Sequence, residues 1–320
     1  MQATIYHEQV EALLRRLSVD HSGRTAIESI LKRQEAGSYG EDTLRYWLTH
    51  LSPDEFHSIY YDVRLPLLND SVVQIDALLL NEKYILLLEA KNLAGKNIFD
   101  LDHQQLVRIV DGVESGMPSP LTQADRQLAH FKNWLLEQGI QLPPMEALVV
   151  FTNRGAIIDF TDKSDPKVKR VVRVENLPWR VRDFANSCLE VVLSRRDLKL
   201  IEKAIVNQPP EQKKKVLRKF KIEQHELIRG VICPECGFAE MKRLPARWCC
   251  QRCSHTSKSA HLDALRDYEL LIGEQITNRQ LREWLLLSSA DTARRILVGM
   301  GLKSGGADKN RYYCLESFKK

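Results

Sequence analysis

The spacing of apolar residues changes along the chain, and each change predicts an element. Val10, Leu13, Leu14 and Leu17, then Ala26, Ile27, Ile30 and Leu31, recur at three- and four-residue intervals and predict two amphipathic helices within residues 1–37. Gly37-Ser38-Tyr39-Gly40 interrupts that pattern, and a new helix is expected to open at Glu41 with Leu44, Trp47, Leu48 and Leu51 on one face. Residues 74–80 and 85–92 are two short, nearly all-apolar runs joined by Asn81-Glu82-Lys83-Tyr84, which predicts a buried hairpin. Helical spacing returns over residues 121–140, with Leu128, Phe131, Leu135 and Leu136 on the apolar positions. Residues 147–151 predict a buried strand, residues 171–174 another, and residues 181–205 a helix. Pro209-Pro210 marks a linker.

The hairpin carries the candidate chemistry. Side chains alternate across a strand, so Glu89 and Lys91 share one side while Ala90 points away. Asp76 on the neighbouring run adds a second carboxylate. Charges on buried strands are costly unless they are paired or hold a metal. Two carboxylates beside one lysine suit divalent-metal-dependent phosphodiester hydrolysis, with carboxylates for the hard cation and lysine for the water or the developing charge. The plainer alternative is a solvent-facing Glu-x-Lys at a strand end, with Asp76 closing a strand.

Taken in order, Gly40-Glu41, Gln74-Ile75-Asp76, Glu89-Ala90-Lys91-Asn92 and Ser119-Pro120-Leu121-Thr122-Gln123 resemble the motifs of the nuclease-related domain (NERD) family, a branch of the PD-(D/E)xK nuclease superfamily. Ser119 stands where the family usually has Asn. The resemblance spans roughly residues 38–155. It implies a restriction-endonuclease-like α/β core, a mixed sheet flanked by helices. It also implies metal ligation (Mg²⁺ or Mn²⁺) by Asp76 and Glu89, a catalytic Lys91, and supporting roles for Glu41 and Gln123. Without the resemblance, Glu41 reads as a carboxylate favoured by a helix N-terminus.

Composition fits a globular chain: 320 residues, 43% hydrophobic and 28% charged, enough for two or three domains. The N-terminus lacks a secretory pattern and no apolar run is long enough to span a membrane, so a cytoplasmic protein without membrane partners is expected. The net charge of +5 is concentrated in two runs, Lys163 to Arg182 and Lys213 to Lys221, which suit phosphate contacts unless they are merely solvated helix faces.

Four of seven cysteines form Cys233-x-x-Cys236 and Cys250-x-x-Cys253. Two close pairs present four thiolates to one tetrahedral, structural Zn²⁺, and the thirteen residues between them suit the hairpin of a zinc ribbon. Cys249 is expected to be a bystander, because Cys250 alone gives the two-residue gap to Cys253. Lys242, Arg243, Arg247, Arg252 and Lys258 make this ribbon basic, and it is similar to topoisomerase-type ribbons that contact DNA.

Beyond it, Thr277-Asn278-Arg279-Gln280 is a capping box, Ser288-Ser289-Ala290-Asp291 a second helix start, and residues 303–315 a hairpin. Two short helices and a hairpin predict a helix-turn-helix or winged-helix-like domain in which Arg294, Arg295, Lys309 and Arg311 face DNA. A helical hairpin that only packs against its neighbours is the alternative.

The expected order is therefore N-terminal helices (1–37), nuclease-like core (38–155), basic extension and helical linker (156–228), zinc ribbon (229–259) and winged-helix-like module (260–320). The expected function is metal-dependent cleavage of DNA, with RNA as the alternative substrate. The rival expectations are a non-catalytic nucleic-acid-binding scaffold and an interaction adaptor. Oligomeric state is left open.

Overall fold

The computed structural model describes residues 4–66, 72–211, 213–307 and 310–315. Helices α1 (Ile5–Arg16) and α2 (Arg24–Leu48) lead into strands β1 (Ser58–Pro66), β2 (Val72–Leu80) and β3 (Ile85–Lys91). A meander of β4 (Gly95–Asp100), β5 (Gln105–Val110) and β6 (Val113–Pro118) follows. Then come α3 (Pro120–Glu137), β7 (Met145–Phe151), β8 (Ala156–Phe160), β9 (Val171–Arg173), α4 (Leu177–Ser187) and α5 (Arg195–Val206). The rest of the chain supplies α6 (Val216–Phe220), β10 (Lys242–Leu244), β11 (Arg247–Cys249), β12 (Thr256–Ser257), α7 (Ala260–Leu271) and β13 (Gln275–Thr277). It ends with α8 (Asn278–Leu285), α9 (Ala290–Gly299), β14 (Ser304–Gly305) and β15 (Tyr312–Cys314).

The chain divides into two units, Glu35–Pro210 and the pair of segments Gln2–Gln34 with Glu211–Lys320. In the first, the expected hairpin is the centre of a five-stranded mixed sheet, order β1-β2-β3-β7-β9. β1, β2 and β3 are antiparallel, while β3, β7 and β9 run parallel. Both faces are covered, as the nearly continuous apolar runs require. Leu78, Leu80, Leu87 and Val149 pack with Leu121, Ala124, Phe131 and Leu135 of α3. Ala77, Leu79, Leu86, Leu88, Leu148 and Val150 pack with Leu44 and Leu48 of α2 and with Leu177 and Val181 of α4. The α/β fold, a mixed sheet flanked by helices, is the one expected.

Two local expectations are corrected and one sheet is added. α2 runs unbroken from Arg24 to Leu48, so Gly37 and Gly40 lie inside it and Glu41 is not in a first turn. Two interior glycines cost about 2 kcal/mol relative to alanine, whereas burial of Leu44 and Leu48 contributes about 1.5–3 kcal/mol each. The helix expected over 181–205 is two helices. Cys188 caps α4 in an extended conformation, and the N–H groups of Val192 and Leu193 donate to the Glu82 carbonyl. α5 then starts afresh in a reciprocal capping box between Ser194 and Asp197. A second sheet, order β6-β5-β4-β8, was not anticipated. Its signal is Val110-Asp111-Gly112-Val113: Asp111 (φ 52°) and Gly112 (φ 78°) both take the left-handed conformation that a two-residue hairpin turn needs.

In the second unit, Tyr6, Val10 and Leu13 of α1 and Leu17 just after it share a core with Leu265, Tyr268 and Leu271 of α7, and with Leu281, Leu285 and Leu297. Its cysteine-bearing segment forms a three-stranded sheet, β10-β11-β12. Thr277 and Gln280 form the expected capping box of α8, and the Ser289 hydroxyl accepts from Thr292 N–H at the start of α9. The hairpin strands β14 and β15 are joined by β13 in a small sheet, order β13-β15-β14. No described helix is long and apolar enough to cross a membrane.

Candidate active site and metal centres

Asp76, Glu89 and Lys91 lie on adjacent strands of the main sheet, and the first turns of α3 bring Gln123 and Gln127 over them. Glu89 is 3% exposed. Its Oε1 accepts from Lys91 Nζ at 2.5 Å and from Gln123 Nε2 at 2.7 Å, and its Oε2 accepts from Gln127 Nε2 at 2.6 Å. Lys91 Nζ also donates to Gln123 Oε1 at 3.2 Å, closing a Glu89–Lys91–Gln123 ring of contacts. Gln127 Nε2 additionally donates to the Gln74 carbonyl at 2.9 Å, tying α3 to β2. The shared side of Glu89 and Lys91 thus faces α3, as strand alternation predicted.

Asp76 Oδ2 accepts the Ala90 N–H at 2.8 Å across the hairpin. Burial, reinforced by the neighbouring Glu89 carboxylate and more weakly by Glu41, pushes the Asp76 carboxyl well above the usual range against the opposing Ala90 N–H and Lys91. Burial likewise raises Glu41, with Asp62 adding to the shift and Arg45 opposing it. At Asp76 the neighbouring carboxylates outweigh Lys91, so positive charge brought to this position would be favoured. Its donors are hard oxygens on two adjacent strands, a set that fits Mg²⁺ or Mn²⁺ held by one or two carboxylates with water and phosphate completing the shell.

Asp62 is the group that sequence reasoning missed. β1 pairs Tyr61 with Ala77 and Val63 with Ile75, so Asp62 stands opposite Asp76 in register. It interrupts the ladder with φ 51°, accepts Gln74 Nε2 at 2.9 Å and pairs with Arg64. Nothing local marks it; only the register of β1 brings it to the site. Gln127 lies one helical turn beyond Gln123 on α3, and the helix places its amide on Glu89. Asn92 holds α2 in place: its Nδ2 donates to the Ala36 carbonyl at 2.7 Å, and its Oδ1 accepts Asn153 Nδ2 at 2.8 Å.

The second centre is the cysteine cluster. Among the described residues, Cys233, Cys236, Cys250 and Cys253 are the one set of three or more His, Cys, Asp or Glu side chains whose ligand atoms all lie within 4.8 Å of one another. Glu41, Asp76 and Glu89 are therefore more widely spread. The Cys233–Cys253 and Cys236–Cys250 Sγ separations are 3.7 and 3.6 Å. A tetrahedral Zn²⁺ with Zn–S bonds of about 2.3 Å requires S···S edges of about 3.8 Å, so the cluster fits zinc. Burial opposes ionisation of Cys250, but backbone N–H groups of Cys253 and Arg252 hold its thiol down to about 6. The Cys249 sulfur lies outside the set and contacts the Cys250 carbonyl.

Much of the basic charge is spent within the fold. Lys163 pairs with Asp159, Arg170 with Asp125, Arg173 with Glu175, Arg180 with Glu146 and Arg182 with Glu55. Lys213 bridges Glu269 and Glu274, and Lys214 and Lys219 sit over the Tyr6 ring. By contrast Arg294, Arg295 and Arg311 are exposed, with no ion pair among the described residues. Lys309 lies outside the described residues.

Residues 36–152 match the family model of the nuclease-related domain (NERD). This segment includes Gly40, Glu41, Asp62, Asp76, Glu89, Lys91, Asn92, Gln123 and Gln127. No curated protein and no solved structure matches the chain.

Proposed function

We propose that this protein is a divalent-metal-dependent nuclease that hydrolyses phosphodiester bonds in DNA, with the rest of the chain serving to hold the substrate. The observation that carries the reading is the joining of Glu89, Lys91 and Gln123 beside Asp76 on buried strands. A scaffold has no need for mutually repelling carboxylates in that position.

Asp76 and Glu89 would hold Mg²⁺ or Mn²⁺, with Glu41 reaching the shell through water. When bound, the ion would neutralise charge on the phosphate and lower the pKa of water. Lys91 already has its ammonium fixed by Glu89 and Gln123, so it meets the reacting phosphate pre-oriented and stabilises the negative charge that grows there. Gln123, bonded to both, sets the Lys91 rotamer and offers its amide to the water or the phosphate. Gln127 and Asn92 position the elements without reaching the reacting atoms. The four cysteines would hold a structural Zn²⁺, with no open position for chemistry. The helix pair α8–α9 with the β14–β15 hairpin reads as a winged-helix-like module offering Arg294, Arg295 and Arg311 to phosphates.

The test is incubation of wild type and Glu89→Ala with supercoiled DNA, linear duplex, single-stranded DNA and RNA, with added Mg²⁺ or Mn²⁺. Cleavage by the wild type alone supports the reading. Absence of metal-stimulated cleavage on every substrate sinks it in favour of a binding scaffold.

A further inference from the structure

A cleft of about 870 Å³ opens in the second unit between the tip of the β10–β11 hairpin, the start of α7 and the face of α9. Its walls carry the cations Arg243, Lys258 and Arg295 and no acidic side chain among the described residues. None of the three makes an ion pair among the described residues, although ion pairs are common elsewhere in the molecule. The Arg243 guanidinium lies 5.2 Å from the centre of the Trp248 ring, and its Nη1 is buried without a hydrogen-bond partner. A buried guanidinium N–H left unsatisfied is destabilising, and among the described residues the fold itself supplies no acceptor for this donor and no acid for this cation. His261 also lines the cleft. Its Nδ1 accepts from Trp248 Nε1 at 3.1 Å, so its proton is on Nε2 and it adds a neutral donor. Ile296 and Met300 give the cleft an apolar side, suited to a sugar or base next to a phosphate.

We infer that this cleft is a phosphate-binding site for a nucleotide unit, in which Arg243, Lys258 and Arg295 clamp the phosphate oxygens. A guanidinium fork suits phosphate geometry, and three converging cations far exceed what a rim charge on one face supplies. The ligand chemistry is a phosphate oxyanion, whose two sources are a nucleic-acid strand and a free nucleotide. The strand is preferred on the nuclease reading above, and the site itself stands on the cleft's own geometry.

The experiment measures binding of a fluorescent single-stranded oligonucleotide and, separately, of dAMP to the full-length protein without added Mg²⁺, across a range of salt. Wild type is compared with Lys258→Ala, Arg295→Ala and Arg243→Met, the last retaining apolar cover over Trp248. Each variant is expected to bind the oligonucleotide roughly three- to tenfold more weakly and to flatten the log–log salt slope by about one. Zinc content and circular dichroism should be unchanged. Lys258 and Arg295 are exposed, so their variants stay informative if Arg243→Met fails to fold. A loss in the dAMP arm alone supports the same site with free nucleotide as its ligand. Wild-type affinity and slope for Lys258→Ala and Arg295→Ala in both arms would overturn the proposal. Because the assay needs no cleavage, an inactive nuclease site would leave its result intact.

Discussion

Gly40 of α2 lies against Asn92 so closely that a Cβ added to it would sit 2.8 Å from the Asn92 Cβ and 2.9 Å from Thr152 Oγ1. The helix that carries Glu41 therefore approaches the end of β3 only because residue 40 has no side chain. Asn92 then pins that approach with its bonds to Ala36 and Asn153. Gly40→Ala should gain about 1 kcal/mol of helix propensity and lose about 1–3 kcal/mol to overpacking. The expected net effect is a lower melting temperature, with cleavage reduced more than stability because Glu41 is displaced. A variant with full activity and a raised melting temperature would show that the close approach does not matter.

Asp76→Asn should stabilise the protein in the absence of added divalent metal while abolishing cleavage. The amide keeps an acceptor for the Ala90 N–H and removes a carboxylate that Glu89 and Glu41 oppose. A gain of about 2–4 °C would correspond to roughly 1 kcal/mol in a unit of this size. Added Mn²⁺ should raise the melting temperature of the wild type and not of the variant. Equal Mn²⁺ shifts in scanning calorimetry would remove Asp76 from the ligand set.

Lys91→Ala is expected to lose cleavage by about two to three orders of magnitude, the usual effect of deleting one group that stabilises transition-state charge. It should still bind Mn²⁺, because removal of the ammonium takes away one of the two donors to Glu89 Oε1, leaving that of Gln123, and removes no oxygen ligand. Titration calorimetry separates the two effects, and loss of Mn²⁺ binding would mean that Lys91 organises the ligands instead.

Protein purified without chelators should carry one zinc per chain, since the four sulfurs lie within 4.8 Å of one another and two of their separations, 3.7 and 3.6 Å, match a tetrahedral edge. Cys236→Ser should lose the metal and loosen the β10–β12 sheet, whereas Cys249→Ser should keep full zinc content by elemental analysis. Zinc lost from Cys249→Ser would show that the neighbouring sulfur is the ligand.

His261 makes the second unit sensitive to acid. Burial, with Arg243 beside it, lowers its pKa from the ordinary 6.5 to about 4. The unfolded chain therefore takes up a proton between these values and the folded chain does not. The contribution is complete above about pH 6.5 and is lost as the pH falls toward about 4. His261→Gln, which can still accept from Trp248 Nε1, should flatten this part of the profile. Urea midpoints compared at neutral pH and at about pH 5 isolate the effect, because acid loss of zinc affects both proteins alike. Parallel profiles would rule the histidine out.

What the sequence by itself determined is what a few neighbouring residues encode. Alternation within one strand placed Glu89 and Lys91 on one side. Two short chelate spacings identified the four cysteines that gather. The Thr277–Gln280 reciprocity set the start of α8. The Asp111-Gly112 turn was equally local and only went unread. Tertiary structure decided the rest, because it depends on which distant segments meet. The placement of Asp62 opposite Asp76 follows from the pairing of β1 with β2, and Gly40 acquires its role only where α2 meets β3. Tertiary structure also spent the two basic runs on internal acids and on Tyr6 while leaving Arg243, Lys258 and Arg295 converging on one cleft without acid partners. A charge in a sequence carries no information about its neutralising partner until chain closure brings the two together, and that closure also fixes which cations remain for a ligand.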